Sequence, residues 1–277
     1  MSLCLMYITN MPSVALVAES NGVDRIWVDL EVLGKEERQK NMNCVKSHHT
    51  IEDVRKIANV LTKAELMVRV NPWNAQSFSE IEQVVEAGAK RIMLPMWKTL
   101  AEVREFLKAV NGRVATTLLL ETKEAVEIID DVLSEPLVDE IHIGLNDLHL
   151  SYGKSFMFEL LSDGTVDFLC DKMRKKGIAY GFGGVARLGA GMLSAEKIIM
   201  EHYRVGSTRA ILSRSFCDAC KMGSLDELKE VFRVEMDKLR AFERKIEVFD
   251  KEKFVENSKC VIEAVNRIVA EVKGAVL

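Results

Sequence analysis

The sequence predicts a (β/α)8 TIM barrel followed by an extended C-terminal helical tail. Three observations predict it. Eight short apolar runs of strand type alternate with amphipathic helical stretches, the order expected of a parallel sheet covered by helices. Polar residues gather after the carboxyl ends of seven of these runs, where barrels of this kind keep their chemistry. The length of 277 residues suits a barrel of about 250 with a tail. A doubly wound open sheet is the alternative, but no glycine-rich dinucleotide fingerprint follows the first run.

Taken in order, strands are expected at residues 3–8, 25–31, 66–71, 91–96, 115–121, 140–144, 179–183 and 210–213. They are nearly continuous in apolar character because both faces of a parallel strand are covered. Between them, residues 77–87 place Ile81, Val84 and Val85 at helical spacing. Asn21-Gly22, Ala87-Gly88 and Asn111-Gly112 stop helices before strands. Thr50 with Asp53, and Thr99 with Glu102, read as capping boxes that open helices. The barrel is expected over residues 1–222 and the helical tail over 223–277. In the tail Leu225, Leu228, Phe232, Leu239, Phe242 and Ile246 form one apolar stripe, and Val261, Val265, Ile268 and Val272 a second. Such stripes need a covering surface, either the barrel itself or a neighbouring subunit of a homo-oligomer.

Composition narrows the function. The chain is 48% hydrophobic and 29% charged, as soluble globular proteins are. Its net charge of −4 leaves no basic footprint, so no nucleic-acid partner is expected. No run approaches the ~20 apolar residues of a membrane span, and no export signal opens the chain. Six scattered cysteines then read as reduced thiols of a cytoplasmic protein, with Cys217 and Cys220 too isolated a pair to form a metal site.

Two of the strands close on acids: Glu121 ends the fifth, and Asp147 follows the sixth. Two carboxylates at one mouth repel unless a cation joins them, and a hard ion such as Mg2+ or Mn2+ suits them. The alternative is that each acid caps the helix after it. Arg69 ends an otherwise apolar strand and needs an anion, either a substrate carboxylate or enolate, or Asp29 and Glu31 across the neighbouring strand; both can hold at once. Backbone amides over Gly144, Asn146 and Asp147 offer donors for a carboxylate. Gly183 and Gly184 with Arg187 suit either a phosphate or a tight backbone turn, and Arg214 adds a cation after the eighth strand. Among the histidines, His149 lies just past Asp147, and His48 and His49 lie in a loop after the second strand. His142 and His202 read as structural.

These stretches together resemble the HpcH/HpaI aldolase and citrate lyase family over roughly residues 22–216. The resemblance is carried by GVDRIWVDLE (22–31), RVNP (69–72), AGAKRIMLP (87–95), LLET (119–122) and VDEIHIGLNDLHLSYG (138–153). It implies a metal-dependent carbon–carbon lyase on a TIM barrel. Glu121 and Asp147 match the family's metal carboxylates, and Arg69 matches the arginine that stabilises a keto-acid enolate. Asp29 and Glu31 match the acids that hold that arginine or metal-bound waters. One position departs from the pattern. The aldolase branch usually carries a histidine base directly after the second-strand acids, and the citrate lyase branch an acid; this chain has Val32.

The resulting expectation is a Mg2+- or Mn2+-dependent aldolase-like lyase acting on a 2-oxo acid through a pyruvate-type enolate. Its catalytic residues would be Arg69, Asp29, Glu31 and His149, and its substrate contacts Arg69, Gly144, Asn146, Asp147, Arg187 and Arg214. In place of Val32, a metal-bound water, His149, His48 or His49 would move the proton. The alternatives are a citrate lyase-like enzyme acting on an acyl-CoA substrate, and a non-catalytic barrel that keeps the ligand site.

Overall fold

The computed structural model describes residues 2–34 and 49–274. Among them, eight parallel strands close into a barrel in sequence order: β1 (Cys4–Ile8), β2 (Arg25–Asp29), β3 (Glu65–Arg69), β4 (Arg91–Leu94), β5 (Ala115–Leu120), β6 (Glu140–Ile143), β7 (Ala179–Val185) and β8 (Arg209–Leu212). β8 pairs with β1, with Met6 opposite Ile211, and so completes the ring. The expected fold class is therefore the observed one.

Local chemistry sets the turns. Both capping boxes are formed: Thr50 opens the helix Ile51–Val60, and Thr99 opens Leu100–Val110. Asn111 stops the latter with a φ of +49°, a left-handed value that asparagine tolerates better than most residues. Gly183 and Gly184, read as either a phosphate cradle or a turn, lie inside β7 itself, where the pairing with β8 shifts register. Gly183 has a φ of +51°, and a Cβ there would meet Leu145 Cδ1 at 2.8 Å, so backbone geometry and close packing account for it.

Strand alternation sorts the barrel interior into layers. Met6, Trp27, Met67, Met93 and Leu119 form a buried cluster of their own, separate from the core between sheet and helices. Two residues earlier on these strands stand Arg25, Glu65, Arg91 and Thr117, with Glu140 beside Thr117 in the register. These make a largely buried ionic floor. Arg25 Nη1 donates to both Glu140 oxygens at 2.7 and 2.9 Å, Arg209 Nε donates to Oε2 at 2.7 Å, and Arg91 Nε donates to Glu65 at 3.1 Å. His142 and His202 are fully buried. Burial lowers their pKa to about 4 and about 3, so both stay neutral, and His202 stacks on Phe182 at 3.7 Å.

The C-terminal helices Leu225–Ile246 and Lys251–Gly274 pack on this same chain. In the first, Phe232 meets Tyr7 edge to face at 5.0 Å, and Glu243 accepts the Leu3 N–H at 2.8 Å. The second lies on the helices Ala195–Val205 and Glu159–Ser162, where Asn257 Nδ2 donates to Glu201 at 2.8 Å. No helix among the described residues is long and apolar enough to cross a membrane.

The floor makes a testable claim. Burial alone would raise the Glu140 pKa, but Arg25, then Arg91 and Arg209, hold it at about 2. Its contribution to stability is thus complete above the ordinary carboxylate pKa of 4.5 and is lost as pH falls toward 2. Glu140→Gln is expected to cost about 3 kcal/mol at neutral pH because it leaves the buried Arg25 with Glu65 alone and removes the carboxylate partner of Arg209. Urea unfolding should show that the gap from the unsubstituted protein narrows between pH 4.5 and 2.

Candidate active site

Above the apolar layer, the carboxyl ends of β2 and β3 place Asp29 opposite Arg69 in the register. Arg69 grips Asp29 with two hydrogen bonds, Nε to Oδ1 and Nη2 to Oδ2, both at 2.9 Å. Nη2 also lies 3.1 Å from Glu31 Oε2. The guanidinium carbon stands over the Trp27 ring, 5.0 Å from its centroid, within cation–π range. Burial opposes the charge on Arg69, but Asp29 and Glu31, with Glu121 beyond them, more than offset it and raise its pKa. Salt bridging by the second-strand acids is thus present, and it fixes the guanidinium at the mouth.

Glu121 follows β5 and is 3% exposed. It does not cap the next helix. That task falls to Thr122, whose Oγ1 accepts the Ala125 N–H at 3.1 Å and donates to the Trp97 carbonyl at 2.9 Å. Glu121 instead accepts the Met96 N–H on Oε1 at 3.0 Å. Burial first, and Asp147 next, push its pKa well above the usual carboxylate range, with Arg69 acting against them. A carboxyl in this position gains greatly from a nearby cation.

Gly144 joins β6 to the helix Leu145–Ser151, so the residues expected as a donor turn form a first helical turn, with Asn146 and Asp147 in it. A Cβ on Gly144 would sit 2.9 Å from Glu121 Oε2 and 3.0 Å from its Cβ. Glycine is required by that approach. His149 is buried on the same helix, and its Nδ1 lies 3.1 Å from the Leu145 carbonyl. His49 is placed differently: its Nδ1 accepts the Asp29 N–H at 3.0 Å, which leaves the proton of the neutral ring on Nε2. His48 lies outside the described residues. Arg187 is drawn to the eighth loop, where Nε donates to the Ser215 carbonyl at 3.2 Å, and Arg214 is exposed.

Three features of the mouth were not foreseen. Trp27 lies beneath Arg69, a place that its position two residues before Asp29 signals. Asn71 Oδ1 accepts the N–H groups of Val32 and Leu33 at 2.9 and 3.0 Å, and so pins the loop after β2. The Met96 amide on Glu121 has no signal in residue type.

The donor set fits a hard divalent ion. Among the described residues no three His, Cys, Asp or Glu side chains converge as a metal group. A two-carboxylate site suits Mg2+ or Mn2+, which keep several waters, and does not suit tetrahedral zinc. If Glu121 holds such an ion, Gly144→Ala, which crowds that carboxyl, should weaken Mn2+ binding about 10-fold or more, measured by titration with paramagnetic resonance detection.

Comparisons with known proteins agree with this architecture. The HpcH/HpaI aldolase from Desulfitobacterium hafniense DCB-2 superposes with a TM-score of 0.61 at 16% identity, covering 76% of this chain and 86% of that one. An HpcH/HpaI aldolase/citrate lyase family protein from Burkholderia cenocepacia J2315 gives 0.57 at 16% identity, covering 86% and 95%. The protein CitE from Mycobacterium tuberculosis, in complex with magnesium and acetate, gives 0.56 at 12% identity, covering 92% and 96%. At these identities the likeness shows the fold. No curated protein matches the sequence. The sequence pattern of the HpcH/HpaI aldolase/citrate lyase family matches residues 4–159, more than half of the chain. The chain therefore belongs to the HpcH/HpaI aldolase/citrate lyase family, and it is a lyase.

Proposed function

We propose that the chain is a divalent-metal-dependent carbon–carbon lyase that cleaves or forms a 2-oxo acid through a pyruvate-type enolate. One observation carries this reading: Glu121, its pKa raised by burial and by Asp147, stands near an Arg69 that Asp29 and Glu31 hold in place. Glu121 and Asp147 would hold Mg2+ or Mn2+, which supplies Lewis-acid polarisation of the substrate carbonyl. The magnesium and acetate described for CitE of Mycobacterium tuberculosis are in keeping with this choice.

The chain's own residues divide the remaining work. Arg69 offers its positive charge to the enolate oxygen as the carbon–carbon bond breaks and its electron pair moves onto the pyruvate fragment. Trp27, Asp29 and Glu31 keep the guanidinium from turning away. The first turn carrying Gly144, Asn146 and Asp147 offers contacts for the substrate carboxylate, and Arg187 and Arg214 line the more distant loops. A proton leaves the hydroxyl carbon's oxygen and another must reach the pyruvate carbon, yet Val32 carries none. His49 and His149 are the described candidates. His49 is favoured, because its ring is hydrogen-bonded to the backbone of the acid that holds Arg69.

Incubating the protein with pyruvate in deuterated water tests enolate formation without knowledge of the acceptor. Methyl protons should exchange only when Mg2+ or Mn2+ is present, and Glu121→Gln should slow the exchange by at least about 100-fold. Full exchange in excess chelator would contradict the proposal. His49→Ala should slow exchange by about 100-fold and His149→Ala by less, followed by proton resonance of the same methyl group.

A further inference from the structure

Met96 holds a backbone conformation that its side chain disfavours. It follows β4 and Pro95, and its φ is +55°, in the left-handed region where a Cβ crowds the chain. Its neighbours keep it there: Trp97 is buried, and the Trp97 carbonyl accepts the Thr122 hydroxyl at 2.9 Å, tying this turn to the residue after Glu121. The turned backbone places the Met96 N–H 3.0 Å from Glu121 Oε1. On the other side of the same carboxyl, a Cβ on Gly144 would lie only 2.9 Å from Oε2. The carboxyl is thus held between one amide and one bare Cα. Strain retained beside reactive groups points to a role there.

We propose that Met96 is a positioning residue whose left-handed backbone aims its amide at Glu121 Oε1, fixing the rotation of that carboxylate and setting the affinity of the Glu121 and Asp147 pair for a divalent cation. The inference rests on the cation reading under Proposed function. It places the requirement on the backbone and not on the thioether, so affinity must follow how well a replacement tolerates positive φ. Glycine does so freely, and a β-branched residue does not.

The test is Mn2+ titration of the full chain by paramagnetic resonance, with melting temperature recorded for each variant. Met96→Val is expected to bind Mn2+ about 10-fold more weakly, and Met96→Gly to recover at least about 3-fold of that loss. Leu137 provides the control, because it also has positive φ, +68°, but precedes β6 at the opposite end of the barrel. Leu137→Val should lower the melting temperature as Met96→Val does while leaving Mn2+ affinity at the unsubstituted value. Equal Mn2+ affinity in Met96→Val would overturn this inference alone. So would a Met96→Gly variant as weak as Met96→Val, or a Leu137→Val variant that loses as much affinity. Absence of Mn2+ binding by the unsubstituted chain would overturn the inference and the cation reading together.

Discussion

Buried negative charge at the barrel mouth is the constraint on which the rest of the site depends. Asp29, Glu31 and Glu121 are all buried, and Arg69 is the guanidinium set among them. Arg69 is held chiefly by Asp29 and Glu31 and only partly offsets burial and the repulsion from Asp147, so the Glu121 pKa stays raised. Carboxylates in a low-dielectric site need either protons or a cation. A cation held by Glu121 and Asp147, as proposed, would relieve the repulsion and supply the electrophile for carbon–carbon cleavage.

The barrel supports this by separating its charges into layers. The floor around Glu140 is rich in arginine and hydrogen-bonded within itself. The layer of Met6, Trp27, Met67, Met93 and Leu119 is apolar apart from the Trp27 indole nitrogen. Apolar side chains between the two ionic layers insulate the mouth from the floor, so the acids above are not neutralised by the arginines below. Strand alternation builds all three layers at once, since residues two apart on each strand point the same way.

Much of this was legible in the sequence, and for a physical reason. Parallel strands covered on both faces leave near-continuous apolar runs, so all eight strands were located, with ends moved by at most two residues. Glu121 was visible because a carboxylate closing such a run has few structural uses. Features that depend on the backbone were not visible. Methionine carries no signature of positive φ, so the Met96 amide is apparent only in three dimensions. Gly183 and Gly184 suited a phosphate cradle and a backbone turn equally, because a register shift and a ligand cradle demand the same residue. The helix Leu145–Ser151 was not foreseen behind the backbone donors over residues 144–147, because seven residues are too few to show a helical period. Asn71 holds Val32 and Leu33 across about forty residues of sequence, a link that no local pattern carries.

The shared cation is the central claim, and anomalous diffraction from crystals grown with Mn2+ tests it most directly. The account predicts one strong anomalous peak within coordination distance of both Glu121 and Asp147, with the remaining positions open to solvent or substrate. A peak bound by other residues, or none at saturating Mn2+, would contradict it.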